Sequence, residues 1–289
     1  NAPRRAGGGG MSALAGQTAF ITGASGAIAT ACATALAADG ARLALMARRG
    51  EGVDAAAAAV RAAVPGAEIA TIVGDCGDEA AVRQALHQAH AMAGRLDIAV
   101  ATVGGAGFAP FMLLDSATIR DTLEINVLSA FFVIRHAVPL MAAGGSIVCT
   151  SSSSAILTFP YLSAYHVAKA ALEGLVRAAA DELGAAGVRI NAVRPGLTRA
   201  QGTGTMLEVP GVEEKFLPEF PLPRVGEPED IAHAVRFLAG PESGWMTGEC
   251  LNVDGGNHLR GSPDLTSMVE AIHGKERVAA ARAGKETQA

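Results

Sequence analysis

The sequence lacks the features of a disulfide scaffold, a zinc protein or a nucleic-acid binder. Its 289 residues hold four cysteines, Cys32, Cys76, Cys149 and Cys250. They lie far apart, with neither CxxC nor metal-ligand spacing, which argues against a disulfide framework and against a metal site. They read as reduced, mostly buried thiols of a cytoplasmic protein. No long Lys/Arg block is present and the formal net charge is -5. That balance disfavours nucleic acid or a membrane as the main partner and leaves a small molecule. No repeat of solenoid period is visible. Residues 1–10 contain Arg4-Arg5 and a four-glycine run but no apolar core of signal-peptide length. Residues 1–15 are read as a disordered leader or non-native remnant.

What is present is a large apolar content. Half of the residues are hydrophobic, enough to bury the core of one α/β domain of this length. Short apolar runs alternate with helical patterns, the mark of βαβ units and a parallel, doubly wound Rossmann-like sheet with helices on both faces. Seven strands are expected at 18–22, 42–46, 68–73, 97–102, 146–150, 188–193 and 250–253. Helices are expected at 27–38, 52–63, 78–93, 117–141, 163–185 and 229–239. The reading is a single domain over 16–257 and a partly helical C-terminal extension over 258–289.

The stretch 20-FITGASGAIATA-31 has the order of a phosphate-binding turn. Free amides at a helix start face an anion there, and glycine is required where a side chain would block the approach. Gly23 and Gly26 fit TGxxGxxG, and Ala29 replaces the last glycine at a helix-packing position where alanine is a known variant. Further on, 161-YLSAYHVAKAALEGL-175 places Tyr165 and Lys169 four apart, on one face of a helix. A cation beside a phenol favours phenolate and tunes it for proton transfer. Ser152 lies thirteen residues before Tyr165, just after a strand.

These motifs, together with GDC (74–76), LDIAVATVGG (96–105), EIN (124–126), RINAVRPG (189–196), RVGEPEDIA (224–232) and TGECLNVDGG (247–256), make the chain resemble the classical short-chain dehydrogenases/reductases over about residues 17–256. The resemblance implies that Tyr165 is the general acid/base, that Lys169 holds the nicotinamide ribose and lowers the Tyr165 pKa, and that Ser152 hydrogen-bonds the substrate oxygen. It implies that Asn126, on a helix facing the site, supports a relay to Lys169. Gly23, Ser25, Gly26 and Ile28 would line the pyrophosphate, Asp75 and Cys76 the adenine, and Val103, Gly104, Pro195, Gly196 and Thr198 the rest of the cofactor, with Tyr165 and Lys169. A homotetramer or dimer is also implied, with the last helices and the VDGG region near subunit contacts.

The chain departs from the family in two places. Its TGxxGxxG spacing is more typical of the family's extended branch, and 101-ATVG-104 stands where Asn-Asn-Ala-Gly is common, so two bracing amide side chains are missing. At the end of the second strand Ala47 replaces the usual acidic residue and Arg48-Arg49 follow, which favours NADP(H) over NAD(H). Met206, Leu207, Val209, Phe216 and Leu217, with Phe108, Phe111, Phe159 and Tyr161, suggest an apolar pocket under a lid over 204–220. The expected activity is interconversion of an apolar or cyclic ketone and a secondary alcohol. Two alternatives are a reductase of 3-oxoacyl thioesters on a carrier protein, and a low-activity nucleotide-binding sensor.

Overall fold

In the computed structural model, residues 12–200, 203 and 207–285 are described. Seven strands form one parallel sheet in the order β3-β2-β1-β4-β5-β6-β7. They are β1 Thr18–Ile21, β2 Arg42–Ala47, β3 Ile69–Val73, β4 Leu96–Ala101, β5 Met141–Thr150, β6 Arg189–Pro195 and β7 Cys250–Val253. Register is fixed by pairs such as Ile21 with Leu45 and Val100, Ala101 with Cys149, and Val193 with Leu251. Strand order reverses between β1 and β4, and a crevice opens there at the carboxyl ends of the strands.

Alternate side chains along each strand point to opposite faces, so every strand supplies two cores. Ala19, Ile21, Leu43, Leu45, Ile98 and Val100 face one side. Helices α1 (Ala27–Ala38) and α2 (Gly50–Ala63) cover them, together with α8 (Pro228–Ala239). Phe20, Met46, Leu96, Ala99 and Ile147 face the other side, under α3 (Glu79–Ala91), α5 (Ser129–Ala137) and α6 (Ser163–Leu183). Ala29 is buried in the first core, at the helix-on-strand position expected for the missing glycine. All four cysteines are free, and Cys32, Cys76 and Cys149 are buried.

The helix expected over 117–141 is interrupted. It consists of α4 (Ser116–Leu123), a π-helical turn over Glu124–Leu128, α5, and a 3₁₀ turn over Val138–Leu140, and β5 already begins at Met141. A hydrophobic pattern does not register one inserted residue, whereas the backbone does. By length and composition the stretch Ser116–Leu140 could cross a membrane, an 18-residue window within it having mean hydropathy 1.4, and it is the only such helix among the described residues. Here Ala130, Val133, Ile134 and Ala137 pack it onto the sheet.

Past β7 the chain forms α9 (Thr266–His273) and α10 (Lys275–Arg282), broken at Gly274, whose φ of 86° favours glycine. Val269 and Val278 are fully buried and pack with Tyr161 and Phe108. The extension therefore folds back on its own chain beside the crevice. At the other end, Leu14 is fully buried in the first core and its amide donates to the Asp39 carbonyl at 3.0 Å. Residues 12–15, grouped with the leader on composition, thus belong to the fold, and residues 1–11 lie outside the described residues.

Truncating Leu14 to Ala should cost about 2–5 kcal/mol, the usual range for emptying a buried leucine site. Chemical denaturation of the two proteins measures it; a midpoint unchanged by Leu14→Ala would show that this turn contributes nothing to the core.

Candidate active site

The crevice encloses a cavity of about 480 Å³. Gly23, Ser25, Gly26 and Ile28 line it from the β1–α1 turn, Arg48 from the end of β2, and Asp75 and Cys76 from the end of β3. Val103 and Gly104 follow β4, while Pro195, Gly196 and Thr198 follow β6. Ser152, Tyr165 and Lys169 complete the lining at the end of β5 and the start of α6. Asn126 is the expected site residue that does not reach the cavity surface; it stands behind the β4 loop.

The β1–α1 turn keeps the features that an anion requires. Gly23 has φ 62°, and a Cβ there would come within 2.7 Å of Thr102 Oγ1. Gly26 caps α1 without any side-chain hydrogen bond, so no side chain competes for the amides of the first turn. The brace lost with the two amide side chains is supplied by a residue that sequence reasoning passed over. The Thr102 hydroxyl donates to the Thr22 carbonyl at 2.6 Å, and the Thr102 amide donates to Thr22 Oγ1 at 3.2 Å. A β-branched hydroxyl thus ties β4 to β1 where an asparagine was expected.

Lys169 is 2% exposed and has no carboxylate partner among the described residues. Its ammonium donates to the Thr150 carbonyl at 2.8 Å and lies 5.5 Å from the Tyr165 ring centre. Burial pulls its pKa down to about 8. Space around it is tight. A Cβ on Gly104 would come within 2.7 Å of Lys169 Nζ and closer still to Asn126 Oδ1. The π turn carries Asn126 inward, where its amide donates to the Gly105 and Thr122 carbonyls at 2.8 Å each and its Oδ1 accepts from the Gly105 amide at 3.0 Å. Asn126 therefore fixes the backbone that passes over Lys169.

Tyr165 differs from expectation in one respect. In the chain alone burial raises its pKa, and the Ser152 hydroxyl works in the opposite direction. Desolvation outweighs the Ser152 hydrogen bond, so the phenol is the resident form at neutral pH. The serines divide their roles. Ser151 Oγ donates to Glu173 Oε1 at 2.8 Å, whereas Ser152 Oγ accepts from the Ser154 amide at 3.1 Å and lines the cavity. Glu173 is also gripped by the Arg194 fork, with two bonds of 2.6 Å. Tyr165, Lys169 and Glu173 recur at intervals of four along one stripe of α6, a spacing that could have disclosed Glu173.

The apolar half of the cavity is lined by Phe108, Phe159, Leu162, Leu197, Phe216 and Leu265. Of the expected pocket residues, Phe111 and Val209 are exposed, and Tyr161 turns away toward α9. Met206 lies outside the described residues. The described part of the lid includes α7 (Val212–Phe216) and a 3₁₀ turn over Leu217–Glu219. No cluster that could hold a metal ion exists among the described residues.

The capless start of α1, the glycines at positions 23 and 104, and the basic end of β2 together fit a nicotinamide dinucleotide. The chain matches the family model described as enoyl-(acyl carrier protein) reductase over residues 23–258. It is 36% identical over 248 residues to an A-factor type gamma-butyrolactone 1'-reductase (1S-forming) of Streptomyces virginiae, covering 84% of this chain and 96% of that one. It is 37% identical over 247 residues to a galactitol 2-dehydrogenase (L-tagatose-forming) of Cereibacter sphaeroides, covering 84% and 95%. A solved short-chain type dehydrogenase/reductase from Mycobacterium ulcerans superposes with a TM-score of 0.88 at 33% identity, covering 92% of this chain and 98% of that one. The chain belongs to the short-chain dehydrogenase/reductase family and is an oxidoreductase of alcohol and ketone substrates that works with a nicotinamide dinucleotide.

Proposed function

We propose that the protein is an NADP(H)-preferring oxidoreductase that interconverts an apolar or cyclic ketone and its secondary alcohol, with Tyr165 as general acid/base. The observation that carries this reading is the meeting of Ser152, Tyr165 and Lys169 in one cavity, between an apolar wall and the Gly23–Gly26 turn. The Gly23–Gly26 turn would hold the nucleotide, whose chemistry would be donation or acceptance of a hydride. Tyr165 holds its proton until a carbonyl oxygen arrives and then donates it. Ser152 hydrogen-bonds the same oxygen, and the Lys169 charge favours the phenolate left behind. Asn126 keeps the loop at Gly104 and Gly105 from closing on Lys169.

NADP(H) preference is supported by Arg48 and Arg49, which both line the cavity beyond a buried Ala47 where a carboxylate would select the free ribose. A free substrate is favoured over one on an acidic carrier protein because two of the cations on the lid side, Arg199 and Arg224, already have carboxylate partners. Arg199 meets Glu213 and Glu227, and Arg224 meets Asp230. A homotetramer or dimer is supported by exposed Leu222, Trp245 and Leu259 on segments flanking the edge strand β7. The free thiols suit a reducing cytoplasm.

Tyr165→Phe should lower kcat about 10³-fold, within the range for loss of a general acid, with nucleotide affinity changed less than about twofold. Stopped-flow turnover alongside nucleotide fluorescence titration tests it, and retained turnover would sink the mechanism. Arg48→Asp should weaken NADPH binding roughly tenfold while NADH binding holds, since one charge-assisted contact is lost; an unchanged ratio of the two dissociation constants would clear Arg48 of reading the phosphate.

The depressed Lys169 pKa gives a pH dependence of definite sign. Below about 8 the ammonium is charged and supports the departing proton; above it the charge is lost. Ketone reduction should therefore decline above that pH, read as kcat/KM across the alkaline range. A profile flat to pH about 10 would mean that Lys169 keeps its proton in the working enzyme.

A further inference from the structure

The segment after β7 is joined to the substrate half of the cavity more closely than an appended tail needs to be. Leu265 is 3% exposed, lines the cavity and packs in one cluster with Phe159, Val212, Phe216 and Phe220. Asn257, at the start of the segment, also lines the cavity and donates to the Glu219 carbonyl at 3.1 Å and the Gly261 carbonyl at 2.8 Å. Polar contacts hold α9 from several sides. The Tyr161 and Thr266 hydroxyls bond at 2.8 Å, Arg282 Nη1 donates to Thr266 Oγ1 at 3.0 Å, and His273 Nε2 donates to the Phe108 carbonyl at 2.9 Å. Lys215, on α7, donates to Ser267 Oγ at 3.2 Å.

Tyr161 is the junction of these contacts. It is the one non-glycine residue with positive φ among the described residues, at 72°. A bulky side chain there is strained, and such strain persists only where surrounding contacts over-determine it. Three contacts do so. The Tyr161 carbonyl accepts from the Ala109 amide at 2.9 Å, its ring packs with Val269 and Val278, and its hydroxyl meets Thr266. Tyr161 also lies two residues before α6, the helix that carries Tyr165 and Lys169. The Phe108 loop, the catalytic helix and the extension are thus pinned together at one residue.

We propose that the extension is the outer wall of the substrate pocket, with Leu265 setting the size of apolar ring system admitted and the Tyr161–Thr266 contact holding that wall in place. The proposal rests on the reading of the pocket as a site for apolar ketones and adds which residues decide among them. Ionic side chains in the cavity lining are Arg48, Arg49 and Asp75 at the nucleotide end and Lys169 beneath the reacting group. The far half is Phe108, Phe159, Leu162, Leu197, Phe216 and Leu265. A wall of that composition selects by shape and volume, because it offers no charge and few hydrogen bonds. The truncation of one wall side chain then changes which rings fit while leaving the reacting end alone.

The test is equilibrium binding of cyclohexanone, 2-decalone and a three-ring ketone to the full chain under saturating NADP+, which permits no turnover of ketones. Wild type, Leu265→Ala and Thr266→Val are compared, with nucleotide affinity as a control and hydrogen exchange of residues 266–282 as a second readout. Leu265→Ala should strengthen binding of the largest ketone relative to cyclohexanone by about tenfold, the scale of a few methylenes of pocket volume. Thr266→Val keeps the lining intact; it should speed exchange across α9 and α10 and blunt the discrimination by size. A size profile unchanged in both variants, in protein that still binds NADP+, overturns the wall. Failure of wild type and both variants to bind any ketone overturns it together with the apolar reading. If wild type binds the ketones yet reduces none with NADPH, the proposed activity alone falls, and the size profiles still decide the wall.

Discussion

An unpaired positive charge under the crevice sets the terms for the residues around it. Lys169 is buried against the Thr150 carbonyl with no carboxylate to neutralise it among the described residues. Holding an ammonium in such a place is unfavourable, and burial accordingly pulls its pKa down to about 8. The rest of the local structure accommodates it. The carbonyl at the end of β5 faces it, the residue passing over it is a glycine, and the residue behind that glycine is an asparagine whose side-chain amide is bonded to backbone groups. The π turn in the long helix brings that asparagine to its position.

One turn further along α6 the balance is reversed. Glu173 is a buried carboxylate, and it is satisfied by the Arg194 fork and by Ser151. Burying an ion pair stabilises little in net terms unless its remaining hydrogen bonds are met, and here they are. The pair fastens α6 to β6 and holds the first serine after β5, leaving the next serine to face the cavity. Two charged side chains on one helical stripe are thus treated in opposite ways, one neutralised as a strut and one left without a carboxylate partner among the described residues.

Much of this was legible in the sequence because it is local. Strand alternation, the Tyr165-Lys169 interval and the Gly23–Gly26 turn all follow from spacing within a dozen residues, and the structure places them in one crevice. Three things were not legible, each for a physical reason. The π turn at Asn126 shifts the helical phase without disturbing composition, so 117–141 read as one helix. Thr102 replaced an amide brace with a hydroxyl brace, a substitution that looks like a loss until its partner on β1 is seen. Leu265, Thr266 and Tyr161 meet only through contacts about a hundred residues apart in sequence, as in the 105-residue separation of the Tyr161–Thr266 bond, and no local pattern records such a meeting. Burial likewise reversed the expected direction of the Tyr165 shift, since desolvation depends on neighbours the motif does not name.

The strained backbone at Tyr161 has an evolutionary corollary. Glycine would relieve its φ at once, yet would remove the ring and hydroxyl on which the extension is anchored. A drifting sequence therefore faces two coupled losses at this position, and neither is compensated by a single neighbouring change. By contrast, Leu265 of the extension faces the cavity and packs on Phe159, Val212, Phe216 and Phe220, none of them in the sheet or the nucleotide turn. The cavity-facing part of the extension is thus physically separable from the sheet and the nucleotide turn, and one tyrosine joins the two.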